Sequence, residues 1–86
     1  MRKNSQILKD IITIISNQIG VPAESLDKST QPSWLHSWDS LANTMIFLQI
    51  QSEFNIILDF NEYLDCETIE QLFERVVETI QSRSAT

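Results

Sequence analysis

Three stretches of this chain repeat apolar residues every three or four positions, and that spacing commits them to helices. The first runs Ile7, Leu8, Ile11, Ile12, Ile15 and Ile19; the second gathers Ile46, Phe47, Ile50 and Phe54 on one face; the third runs Ile69, Leu72, Phe73, Val76, Val77 and Ile80. Each stripe must be covered by something, and three stripes packed antiparallel cover one another. Strands are poorly served by the same sequence, because 1 glycine and 2 prolines in 86 residues leave too few turn signals for an all-β domain. The expectation is an all-α bundle of three main helices plus a short one. It forms a single domain over residues 1–86, with a folded core over about 5–82. A chain this short buries only about 60–65% of its unfolded surface, which is enough for one core.

Local signals set the boundaries. Asn4 or Ser5 is available to cap the first helix, and Gly20 followed by Val21-Pro22 stops it. From Pro22 to Trp38 the pattern dissolves into polar residues, with Leu26, Trp34 and Leu35 spaced to pin a long loop to the core. Loops of that length are uncommon in small domains unless they serve a function. Asp39 is placed to cap a second helix over Ser40–Phe54, and Asn55 can take the left-handed conformation that ends it. Asn55-Ile56-Ile57-Leu58 has β propensity but no partner strand, so it reads as a buried connector, followed by a helical turn around Asn61–Leu64. Thr68 with Gln71 makes a capping-box pattern for the last helix, whose Glu70, Glu74 and Glu78 form a solvated face relieved by Arg75.

The net charge of -6 sets Arg2, Lys3 and Lys9 at the start against an acid-rich stretch after Phe54. Such a surface repels nucleic acid and attracts basic protein surfaces. Cys66 is the only cysteine, which excludes a disulfide framework and a thiol-based metal site, and a reducing compartment suits it. Met1-Arg2-Lys3 has the charge of a signal-peptide start, but Lys9-Asp10 interrupt the apolar run that should follow. No apolar stretch approaches the roughly 18 residues of a membrane span. A soluble, cytoplasmic protein with no membrane insertion is expected.

Chemistry concentrates at Asp39-Ser40-Leu41. With Asp39 as N-cap, Ser40 falls in the first helical turn, where unpaired N–H groups and the helix dipole favour an attached phosphate. Leu41, Met45 and Leu48, with Ser52, fall on nearly the opposite side of the helix from its core stripe. Either they pack beneath the long loop or they form an exposed apolar patch that meets a partner, and the second reading is preferred.

In these features the chain resembles the acyl and peptidyl carrier proteins. Trp38-Asp39-Ser40-Leu41 matches their attachment motif and Glu53-Phe54-Asn55-Ile56 the end of their second helix. The pattern continues through Leu58 and the Thr68-Ile69 opening of the last helix. The resemblance implies that a phosphopantetheinyl transferase moves 4′-phosphopantetheine from coenzyme A to Ser40, releasing adenosine 3′,5′-bisphosphate. The terminal thiol of that arm then holds an acyl or aminoacyl group as a thioester and presents it to loading and downstream biosynthetic enzymes. It further implies a discrete, monomeric carrier that is not itself an enzyme. A hydrolase using Ser40 is disfavoured independently, since no base or oxyanion-hole motif accompanies it. An unmodified carrier-like interaction module is the alternative.

Two departures from the family pattern stand out. Ser37-Trp38 replaces the Gly-plus-small-or-apolar pairing of many fatty-acid carriers and resembles discrete carriers of specialised pathways; Trp38 either packs on the base of the arm or, as preferred here, anchors the loop. Outward positions of the second helix that are acidic in fatty-acid carriers hold Met45, Leu48 and Ser52, so Leu41, Met45 and Leu48 are the expected partner-binding residues. His36 precedes Ser40 by four residues in the loop and reads as a surface residue, the alternative being contact with the arm or the transferase. Cys66 reads as a small hydrophobe without assigned function.

Overall fold

A computed structural model describes residues 2–84. The expected domain of residues 1–86 therefore runs past this window at Met1, Ala85 and Thr86, which lie outside the described residues. Four helices occur in it: α1 (Asn4–Ile19), α2 (Ser40–Phe54), α3 (Phe60–Leu64) and α4 (Ile69–Ser84). There is no strand among the described residues. The expected all-α bundle of three main helices and a short one is what forms.

The core is the set of stripes that the periodicity marks. Ile7, Ile11, Ile15 and Ile19 of α1 meet Ala42, Ile46, Ile50 and Phe54 of α2 and Ile69, Leu72, Val76 and Ile80 of α4, all buried. α1 packs against both long neighbours, and α3 lies against α2. Leu26, Ile56, Leu58 and Tyr63 complete the same cluster from the connections.

The helix ends show where the local signals held and where they did not. Gly20 takes φ 71° and sends its N–H to the Ser16 carbonyl, and Asn55 takes φ 53° and bonds Gln51 in the same way. Both are left-handed stops. α1, in contrast, starts one residue earlier than its polar candidates: Lys3 is the N-cap, with no side-chain cap, and Asn4 and Ser5 lie inside the helix. The Lys3 carbonyl already accepts from Gln6 and Ile7 at 3.0 Å, so the helix closes on backbone bonds alone. At α4 the Gln71 N–H donates to Thr68 Oγ1 at 3.2 Å, while the Gln71 side chain accepts from the Glu67 N–H. The box thus returns one residue earlier than the pattern implies. Arg75 bonds Glu78 at 3.9 Å and reaches Glu62 of α3 at 3.6 Å, so the relief of the acidic face is shared with a neighbouring helix.

The long connection from Val21 to Asp39 holds two short 3-10 turns, at Ala23–Ser25 and Pro32–Trp34. Leu26 pins it as expected, but Trp34 does not: it is 62% exposed. Backbone bonds do the fixing expected of Trp34. Ile69 and Glu70, in the first turn of α4, donate to the carbonyls of Thr30 and Lys28 at 3.1 and 2.9 Å. The loop thereby satisfies N–H groups that a helix start leaves open. Asp27 stabilises the turn by accepting from the N–H and hydroxyl of Ser29, contacts that hold its carboxyl below the usual range. The connector Asn55–Leu58 is likewise only half buried: Ile56 and Leu58 point inward, whereas Ile57 is 88% exposed, because extended backbone alternates its side chains.

Candidate functional site

Asp39 is extended, at φ -92° and ψ -173°, and its Oδ1 accepts the Ala42 N–H at 2.9 Å. Its carbonyl accepts the Asn43 N–H at 2.9 Å and begins the α2 ladder. Ser40 is therefore the first residue of α2, exposed, with the N–H groups of Ser40 and Leu41 lacking partners inside the helix. The Ser40 carbonyl accepts from the Thr44 hydroxyl at 3.1 Å, but the Ser40 hydroxyl itself bonds to no described residue. No base among the described residues accepts its proton. A phosphoester at Oγ would lie at the positive end of a 15-residue helix.

Trp38, directly before the cap, is 7% exposed and anchors the loop, as preferred from the sequence. Its indole Nε1 donates to Asn43 Oδ1 at 2.7 Å, and the Tyr63 hydroxyl donates to the same oxygen at 3.0 Å. One amide oxygen thus ties the approach to Ser40, helix α2 and helix α3 together. Burial holds the Tyr63 phenol well above its ordinary pKa, so it remains a donor. Phe47 and Phe60 pack on the Tyr63 ring at centroid distances of 5.4 and 6.0 Å and on each other at 4.9 Å, which fixes α3 against α2. An open cavity of about 280 Å³ lies beside this triad, lined by Trp38, Asn43, Tyr63, Leu64, Cys66 and Leu72, among others. Burial raises the Cys66 thiol, despite the opposing charge of Arg75. The thiol donates to the Glu62 carbonyl at 3.5 Å.

Leu41, Met45 and Leu48 do not pack beneath the loop. They are 69%, 38% and 51% exposed, on the side of α2 away from Ile46 and Ile50. His36 is exposed. Asn43 and Tyr63 were not among the residues that sequence reasoning singled out. The available signal was a poor helix former, asparagine, placed inside an apolar helix one turn after Ser40, together with the chain's only tyrosine. No group of three or more metal-ligating side chains occurs among the described residues, and no described helix is long and apolar enough to cross a membrane.

A bundle that presents an unengaged serine hydroxyl at the capped start of its second helix, with a cavity one turn below, has the form of a small carrier domain. The family model of the phosphopantetheine attachment site matches residues 9–76, and the chain belongs to that family, the acyl and peptidyl carrier proteins, which bear 4′-phosphopantetheine covalently on a serine. Such domains work with a phosphopantetheinyl transferase and with biosynthetic enzymes. No curated protein matches the chain significantly. The residues present fit the group: an exposed hydroxyl without a partner, helix N–H groups open to a phosphate, and a cavity within one turn of them.

Proposed function

We propose that Ser40 bears the phosphopantetheine and that the chain is a non-catalytic carrier of acyl or aminoacyl groups in a specialised biosynthetic pathway. The observation that carries this is the Ser40 hydroxyl, exposed and unbonded at the Asp39-capped start of α2. When attached, the group supplies a thiol that holds the cargo as a thioester. The chain's own residues hold the attachment point: Asp39 fixes the first turn, Trp38 and its bond to Asn43 fix the approach, and the open N–H groups receive the phosphate charge. Among the described residues Ser40 has neither a bonded base nor an orienting group, which supports a carrier in place of a hydrolase.

Leu41, Met45 and Leu48 are assigned to enzyme docking, because they form an exposed apolar stripe beside Ser40. The transferase, a loading enzyme and downstream enzymes are the partners, and nucleic acid is not, given the charge of -6. One monomeric domain over residues 1–86, folded over about 5–82 and working in the cytoplasm, completes the proposal; one continuous core supports the single domain. The test is incubation with coenzyme A, magnesium and a broad-specificity phosphopantetheinyl transferase. Wild type should gain one phosphopantetheinyl group by intact mass, and Ser40→Ala none. A folded wild type that gains nothing, even with its native transferase, is instead an unmodified interaction module.

A further inference from the structure

The triad beside Ser40 has an unused half. A tryptophan nitrogen can only donate, so the Asn43 atom 2.7 Å from Trp38 Nε1 is the amide oxygen, and the Tyr63 hydroxyl donates to it as well. That leaves Asn43 Nδ2, which carries two N–H donors and is bonded to no described residue. It is not sealed in the core, because no buried side-chain nitrogen or oxygen among the described residues lacks a partner. Asn43 lines the cavity together with both of its partners, so the amide group is held rigidly at that opening with its donors unspent. Ser40 and Asn43 are three residues apart and share one face of α2.

We propose that Asn43 selects the cargo: its Nδ2 donates to a carbonyl oxygen on the carried group beyond the thioester, so the preferred cargo is a short oxo-bearing acyl group, not a saturated chain. This rests on Ser40 being the attachment residue. At about 280 Å³ the cavity sits below the common range for ligand clefts, which suits a short group. Its lining sets Gln31, Ser33 and Asn43 among apolar Trp38, Leu64 and Leu72, so a short cargo can pack its carbons there, but a saturated one leaves the Asn43 donor without an acceptor.

The test loads the isotope-labelled full chain with pantetheine arms bearing a free thiol, a butyryl or a 3-oxobutyryl group, each confirmed by intact mass. The Asn43 side-chain N–H protons are then followed by NMR. A downfield shift and slowed exchange with 3-oxobutyryl alone is expected. Asn43→Asp is the companion variant: it keeps an oxygen for Trp38 and Tyr63 but replaces the donor with a second acceptor. Relative to wild type, it should speed hydrolysis of the 3-oxobutyryl thioester about fivefold more than that of the butyryl thioester, the ratio that one net hydrogen bond gives. An equal shift with the free thiol means that Asn43 binds the arm itself, and an equal shift with butyryl means that it binds the thioester; either overturns the selection. No shift in any form also overturns it. A chain that gains no mass overturns the assignment of Ser40, and the inference falls with it, an outcome read in the mass spectrum before any NMR.

Discussion

Tyr63 concentrates the consequences of the buried triad in one titratable group. Its ordinary pKa is 10.0, and burial holds it higher in the fold. Above pH 10 the unfolded chain releases this proton while the folded chain keeps it, so the stability that the neutral phenol contributes is complete below pH 10 and is lost as pH rises toward the folded value. As Tyr63 is the only tyrosine, tyrosinate absorbance reports it alone. That absorbance should appear together with loss of the helical circular dichroism; a rise near pH 10 in still-folded protein contradicts the burial. Tyr63→Phe should remove this alkaline loss and cost about 1 kcal/mol at neutral pH through its bond to Asn43. Asp39→Ala should cost about 1 kcal/mol as a lost cap, lowering the melting temperature by about 4–8 °C in thermal unfolding. Asp39 was legible from the sequence because capping is local. The triad was not, since Trp38, Asn43 and Tyr63 meet only once α3 has folded onto α2, and no spacing rule links residues 43 and 63.

At the scale of elements, α2 carries two apolar faces, and the structure decides between their fates. Ile46, Ile50 and Phe54 are buried, whereas Leu41 and Leu48 are at least half exposed. Apolar side chains without acidic neighbours make docking less sensitive to salt than charge pairing would. Met45→Glu should therefore weaken binding to the loading enzyme and steepen its salt dependence, as measured by affinity across a salt series. Unchanged affinity removes Met45 from the docking face. Helical periodicity made both faces readable, since 100° per residue needs no tertiary knowledge. It was silent on Trp34 and Ile57, which lie in irregular backbone where direction depends on each residue's own φ and ψ. The same limit hid the way the loop carbonyls of Lys28 and Thr30 close the start of α4.

In the molecule as a whole, two arginines outside the matched region 9–76 close the far end of α2. Arg2 donates to the Glu53 carboxylate at 2.8 Å and lies over the Phe54 ring at 4.7 Å, and Arg83 donates to the carbonyls of Phe54 and Asn55. Positive charge at the C-terminal end complements the dipole whose N-terminal end holds Ser40. Arg2 is exposed, so Arg2→Ala should cost no more than about 1 kcal/mol in denaturant unfolding and leave loading of the serine intact. The central claim is the identity of that serine, because Ser33 and Ser37 stand close by in the same stretch of sequence. Fragmentation mass spectrometry of the transferase-treated protein tests it most directly. The phosphopantetheinyl group should be found on Ser40 alone; finding it on Ser37 or Ser33, or on any serine of the Ser40→Ala variant, would contradict the assignment.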